Sequence, residues 1–203
     1  MLVQATPGAV ATTASLTPGV PQNLRQGNMG DLIVSELHGR YYETAYRRQK
    51  YSAQNATAVT TTAGTAGTFT GLMLANPVGS TVNLVLEKVG AAFFVAPAAI
   101  NPFGIFTGNG VLSATTVDGV KNRYIGGAAG QGISYKAATI TGGTSQLDTV
   151  FGTVFTTLTN MTVNYDIEGG LIIPPGTFVA SWTNSASGAS GCYFSFDYEE
   201  VPI

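Results

Sequence analysis

Charge is scarce in this chain of 203 residues. Asp, Glu, Lys and Arg make up only 10% of it, against about 25% in ordinary soluble domains, so hydroxyls and amides must wet the surface instead. The formal net charge is −2 and the sequence pI about 5.2. Such a chain lacks the footprint of non-specific nucleic-acid binding, in which Lys and Arg displace counterions from phosphates. One cysteine, Cys192, excludes an intrachain disulfide and fits folding in a reducing compartment. No apolar run approaches the roughly 18 residues of a membrane span. The start, "MLVQATPGAVATTASLTPGV", has neither the basic residues nor the apolar stretch of a signal peptide. The expectation is a soluble protein made in a cytoplasm, without a membrane or nucleic-acid partner.

What is abundant is glycine, 26 residues of it, together with Thr, Ala and Ser. Glycine costs about 1 kcal/mol inside a helix and suits tight turns, so the composition predicts an all-β chain. Residues 1 to 30 repeat a phrase, "TPGAV" and then "TPGVPQN", without apolar periodicity; they are expected to form an extended N-terminal arm. A single β-sandwich domain is expected over 31 to 203. "DLIVSEL" reads as its first strand. "RYYETAYRRQ" is ambiguous, since Tyr42, Ala45 and Tyr46 recur at helical spacing while the aromatic density favours a strand.

Clear strand patterns follow in "GLMLANP", "STVNLVLEKVGAAFFVAP" and "DTVFGTVFTTL". "GGLIIPPGTFVASWTN" reads as two strands broken by Pro174-Pro175-Gly176, because the first proline cannot donate to a ladder and the glycine permits a turn. "GCYFSFDYEEVPI" sends Phe194, Phe196 and Tyr198 to one face and Tyr193, Ser195 and Asp197 to the other. "NPFGIFTGNG" and "VDGVKNRYIGGAAGQGISYK" are expected to be long surface connections, the places where recognition commonly resides. Short strands between Gly, Pro and Asn turns point to a sandwich or jelly roll.

Catalytic chemistry is not visible. A triad needs a base beside a nucleophile, and the lone histidine, His38, stands before a glycine, where a turn residue is the plainer account. Cys192 opens the last strand as a small filler. A zinc site needs several His or Cys ligands at short spacing, which the chain does not have. Asp166 with Glu168, and Asp197 with Glu199, are the carboxylate pairs open to calcium or to glycoside hydrolysis, but neither sits in a ligand-dense loop or an evident cleft. "GAAGQGIS", Gly127 to Ser134, has the glycines of a phosphate loop without its lysine, Ile133 standing in that place. Asn55 and Asn160 match the glycosylation pattern by chance in a Thr-rich chain without a secretory signal. No metal or cofactor is expected.

One stretch is unlike the rest. "HGRYYETAYRRQKY" gathers four of the nine basic residues and four tyrosines in fourteen positions. Arg40, Arg47, Arg48 and Lys50 alternate with Tyr41, Tyr42, Tyr46 and Tyr51, and Arg and Tyr are the residues enriched at protein-interface anchors. Three readings stay open: an amphipathic segment with tyrosines in the core and arginines in water, a contact with an acidic protein surface, and a stacking patch for nucleic acid.

Three phrases carry a resemblance: "GDLIVSELHGRYYE" at Gly30 to Glu43, "GLMLANPVGSTVNLVLEKVG" at Gly71 to Gly90, and "IIPPGTFVASWT…FDYEEVP" between Ile172 and Pro202. In their order and content they resemble a group of tailed-bacteriophage virion proteins. The resemblance covers about a third of the chain directly and implies a jelly-roll-like β-sandwich that assembles as a homotrimer. It also implies a non-enzymatic capsid cement or decoration protein located in the virion, assembled in the host bacterial cytoplasm, with the major capsid protein as partner. Arg40, Tyr41, Tyr42, Tyr46, Arg47, Arg48 and Lys50 are then the candidate contacts to the capsid or a neighbouring subunit. A trimer would also bury the apolar stretch Ala98 to Phe106. The alternative is a head-fibre or tail adhesin, with Tyr124 and Phe106 stacking on a cell-surface glycan and Trp182 in the core.

Overall fold

The computed structural model describes residues 5–6, 24–25, 39–65, 67–157, 161–188 and 191–203. The chain divides into two units, Met1–Arg40 and Tyr41–Ile203. In the first, β1 (Ala5–Thr6) pairs in parallel with β2 (Leu24–Arg25). The rest of the expected arm, the strand expected over Asp31 to Leu37, and His38 lie outside the described residues.

The second unit is all-β apart from one helical turn, α1 (Tyr42–Tyr46). Its strands are β3 (Lys50–Gln54), β4 (Thr68–Ala75), β5 (Val82–Phe93), β6 (Asn101–Asn109), β7 (Val111–Asn122), β8 (Ile133–Thr141), β9 (Ser145–Val154), β10 (Met161–Ile173), β11 (Thr177–Thr183) and β12 (Cys192–Pro202). They pair in a nested series, all antiparallel: β3 with β12, β4 with β11, β5 with β10, β6 with β9, and β7 with β8. The chain therefore runs out and doubles back as one two-stranded ribbon, its tip the connection 123–132 between β7 and β8. Further pairings weld turns of this ribbon side by side, giving the order β10-β5-β12-β3-β7-β8-β4-β11-β6-β9. The sheet curls until its two ends approach: Phe151 of β9 stacks on Tyr165 of β10 with centroids 4.6 Å apart. The result is a large antiparallel sheet nearly closed into a barrel.

Two apolar clusters explain the strand patterns. The larger holds Leu84, Leu86, Phe93, Phe194, Phe196 and Tyr198 from one half of the sheet against Leu72, Phe103, Ile105 and Val179 from the other. The smaller, with Phe69, Met73, Phe106, Phe178 and Ala180, uses the opposite faces of β4, β6 and β11. These strands are buried on both sides, which is why "GLMLA" and "FVASW" read as continuous apolar runs and not as an alternation. β12 is buried on one face, and its period of two is visible in the sequence. The Pro174-Pro175-Gly176 break lies where expected, with Gly176 at φ 83°, a conformation glycine adopts without steric cost.

Two expectations are corrected. "NPFGIFTGNG" is strand β6, not a connection: Phe103 and Ile105 enter the main cluster, and Phe106, on the opposite face of the strand by its period of two, enters the second. The apolar residues Phe103 to Phe106 are thus covered within the chain itself, while Ile100 remains exposed. Likewise "VDGVKN" belongs to β7, so the expected long connection shrinks to residues 123–132. Both segments carry enough glycine to look like loops, but Gly104 of β6 sits where the paired backbone of β9 approaches closely. A Cβ built on Gly104 would lie 2.9 Å from Thr149 C and from Val150 Cα.

Candidate protein-contact surface

The basic-aromatic stretch resolves into a helical turn followed by a strand. Tyr42 and Tyr46 are four residues apart, hence on one side of α1, and their rings stack at 5.8 Å with 13° between planes. Thr44 Oγ1 donates to Tyr41 O at 3.2 Å, and Arg47 Nε donates to Glu43 Oε1 at 2.6 Å, one helical turn back. Arg48, at φ 63°, turns the chain out of the helix; its guanidinium lies 4.9 Å above the Tyr124 ring, and its carbonyl accepts from Asn122 Nδ2 at 3.0 Å. No residue of α1 is buried. Tyr42 and Tyr46 are 43% and 61% exposed, an unusual state for two stacked aromatic side chains beside two arginines.

The seven predicted residues separate into two sets. Tyr42, Tyr46, Arg47 and Arg48 are exposed, as is Arg40, the last residue of the first unit. Lys50 points elsewhere. It opens β3, is 5% exposed, forms an ion pair with Glu87 of β5, and sets its ammonium 3.8 Å from the centroid of the half-buried Tyr41 ring. Lys50 and Tyr41 therefore anchor the base of the segment. Tyr51, the next residue, is core and stacks on Tyr198 at 5.6 Å.

Sequence reading missed two buried acids. Glu87 meets Lys50 as described. Glu200 of β12 accepts hydrogen bonds from the backbone amides of Gln131, at 2.6 Å, and Gly132, at 3.0 Å. The glycine loop that outlines a phosphate site thus cradles an internal carboxylate, as successive backbone N–H groups do for anions. A Cβ on Gly132 would come 2.6 Å from the Tyr198 hydroxyl, so the loop approaches that closely only with glycine. Burial, then the nearby Glu200 charge, push the Tyr198 phenol far above its ordinary range and raise that of Tyr51. A signal for Glu200 existed: period two puts it on the same face as Phe196 and Tyr198, and an inward acid needs a partner.

The other candidates fall as follows. Phe106 is fully buried and presents nothing to a sugar, whereas Tyr124 is 40% exposed beneath Arg48. Trp182 packs against the second cluster. Cys192 is buried, and that burial pushes its thiol up to about 11. Asp166 lies 3.6 Å from Lys88, and Asp197 pairs with Arg123. Glu168, at φ 58°, stands in the irregularity that shifts register between Asp166 and Leu171. Among the described residues no three His, Cys, Asp or Glu side chains converge as metal ligands do. Comparisons with protein-family models, curated proteins and solved structures find no match to this chain.

Proposed function

We propose that this chain is a non-enzymatic virion structural protein, a jelly-roll-like β-sandwich that binds the outer surface of a bacteriophage capsid as a homotrimer and stabilises the shell. The observation that carries the reading is the exposed Tyr42, Tyr46, Arg47 and Arg48 surface. Aromatic and arginine side chains displayed by a turn that buries nothing of its own match the anchors of protein interfaces, here directed at the major capsid protein. The nested pairing from β3–β12 to β7–β8 supports the jelly-roll assignment, because a rolled antiparallel ribbon has that connectivity. The resemblance of three phrases to phage virion proteins points to the setting, a virion assembled in a bacterial cytoplasm.

Cementing follows from multiplicity. Many copies, each with a modest contact, resist the separation of capsomers through avidity that no single contact provides. The test compares shells carrying the protein with shells stripped of it during heating at low salt. Loss of the protein should lower the temperature at which shells open, and restoring it should recover that temperature. Equal durability of both shells rejects cementing. A second reading, a head-fibre or tail adhesin for a glycan, is favoured by one observation, a polar trough along β5.

A further inference from the structure

On the outward face of β3, β12, β5 and β10, strand register places residues in rows. Ser195 lies opposite Gln54 on one side and Gly90 on the other, and Gly90 lies opposite Asn164. In the next row Ala92 stands between Tyr193 and Thr162. The central strand therefore presents its smallest side chains, while both flanks present taller polar ones. A trough of about 270 Å³ runs between them. Gly90 has no left-handed backbone to explain it; its lack of a side chain makes room, since a Cβ there would collide with Ser195 Oγ and lie 3.1 Å from Asn164 Oδ1. Glycine within a strand marks a close approach of this kind.

We propose that this trough binds a short neutral saccharide, a mono- or disaccharide unit of a longer glycan. Its volume lies just below the roughly 300–1,000 Å³ of drug-sized ligand pockets, which suits a ligand of one or two sugar rings. The walls offer amides and hydroxyls, groups that both donate and accept, as the hydroxyls of a sugar require. Tyr193 supplies an apolar face for the ring carbons; it is 41% exposed and backed by Phe94 at 5.8 Å. Charge is neutralised at one end, where Lys88 faces Asp166 and Arg123 holds Asp197. Asp118, which accepts from Asn55 Nδ2 and Ala56 N at the rim, disfavours anionic ligands. The trough is a sheet-face site, separate from Tyr124 and Phe106, the residues the sequence offered as sugar platforms, and it does not depend on capsid attachment.

The test uses the purified full chain on an array of neutral and sialylated or sulfated glycans, followed by titration of the best neutral oligosaccharide. Binding of at least one neutral glycan is expected, weakened at least tenfold by Tyr193→Ala and by Asn164→Ala, and unchanged by Tyr46→Ala. Gly90→Ala, which fills the floor, should abolish it; Asn164 on the edge strand keeps the test valid if that variant fails to fold. Absence of neutral binders, binding confined to anionic glycans, or neutral binding that survives both Tyr193→Ala and Asn164→Ala overturns the proposal.

Discussion

Lys50 shows how far a residue's neighbours decide its role. In the sequence it is the fourth cation of a basic-aromatic cluster; in the fold it is an enclosed partner of Glu87, 5% and 8% exposed respectively. Removing one member of such a pair leaves a desolvated charge without compensation, at a cost of about 3–5 kcal/mol, whereas replacing both with apolar groups of similar volume is often neutral. Glu87→Leu should therefore lower the urea-unfolding free energy by about that amount, and Lys50→Met with Glu87→Leu should recover most of it. If the double variant is no better than the single, the pair does not act as a unit. Cys192 gives a second prediction. Its thiol is raised from 9.0 to about 11 by burial, so stability is fully present below pH 9 and is lost as pH rises through that window, because the unfolded thiol gives up its proton first. The slope is at most about 1.4 kcal/mol per pH unit. Tyr51, Tyr135 and Tyr198, also raised by burial, add to the loss only above pH 10. Cys192→Ala should flatten the fall in urea midpoint between pH 9 and 10, and the native thiol should react with a disulfide reagent only on unfolding.

Among the elements, α1 is the one whose removal from contact costs the domain least. It contributes no buried residue, and its Glu43–Arg47 pair is exposed, of a kind worth about 0.3–0.5 kcal/mol. Arg47→Glu with Arg48→Glu should leave the far-ultraviolet spectrum and the urea midpoint nearly unchanged while weakening attachment to particles at least tenfold in a co-sedimentation assay. A variant that unfolds would assign the segment to the scaffold instead. β6 is the opposite case. Phe106 fills the second cluster, so Phe106→Ala should cost about 3–5 kcal/mol, while Phe155→Ala, at a half-exposed position after β9, should stay within about 0.5 kcal/mol. These elements also mark what was legible. β12 declares itself because one face is core and the other is not, so period two survives in "CYFSFDYEE". β6 does not, because both of its faces are core, Phe103 and Ile105 entering one cluster and Phe106 the other, and its glycines, needed where β9 presses close, imitate a loop. The clustering of Tyr42, Tyr46, Arg47 and Arg48 was readable from composition; the inward course of Lys50 was not, since it depends on Glu87, 37 positions away on a strand that β12 separates from β3.

For the whole molecule, the decisive feature is that the ten-stranded sheet of Tyr41–Ile203 almost closes. β9 and β10 end the sheet and touch through Phe151 and Tyr165, but no ladder between them is formed among the described residues. An open edge is a template for pairing with another chain, and soluble proteins commonly cover or charge it. Here the margins carry apolar groups instead: Leu147 and Val150 on β9, Tyr165 and Ile172 on β10, each 40–57% exposed. If three copies assemble, these margins are the surfaces that gain most from being covered. Sedimentation of the purified chain should then give three times the chain mass of 20.9 kDa, and Val150→Lys with Ile172→Lys should release folded monomers. A monomeric parent protein at micromolar concentration removes the trimer from the proposal, whereas a trimer indifferent to both lysines moves its interface away from the seam. Neither substitution touches Tyr42, Tyr46, Arg47 or Arg48, so monomers that still bind shells, more weakly for want of three linked contacts, would separate self-assembly from capsid recognition.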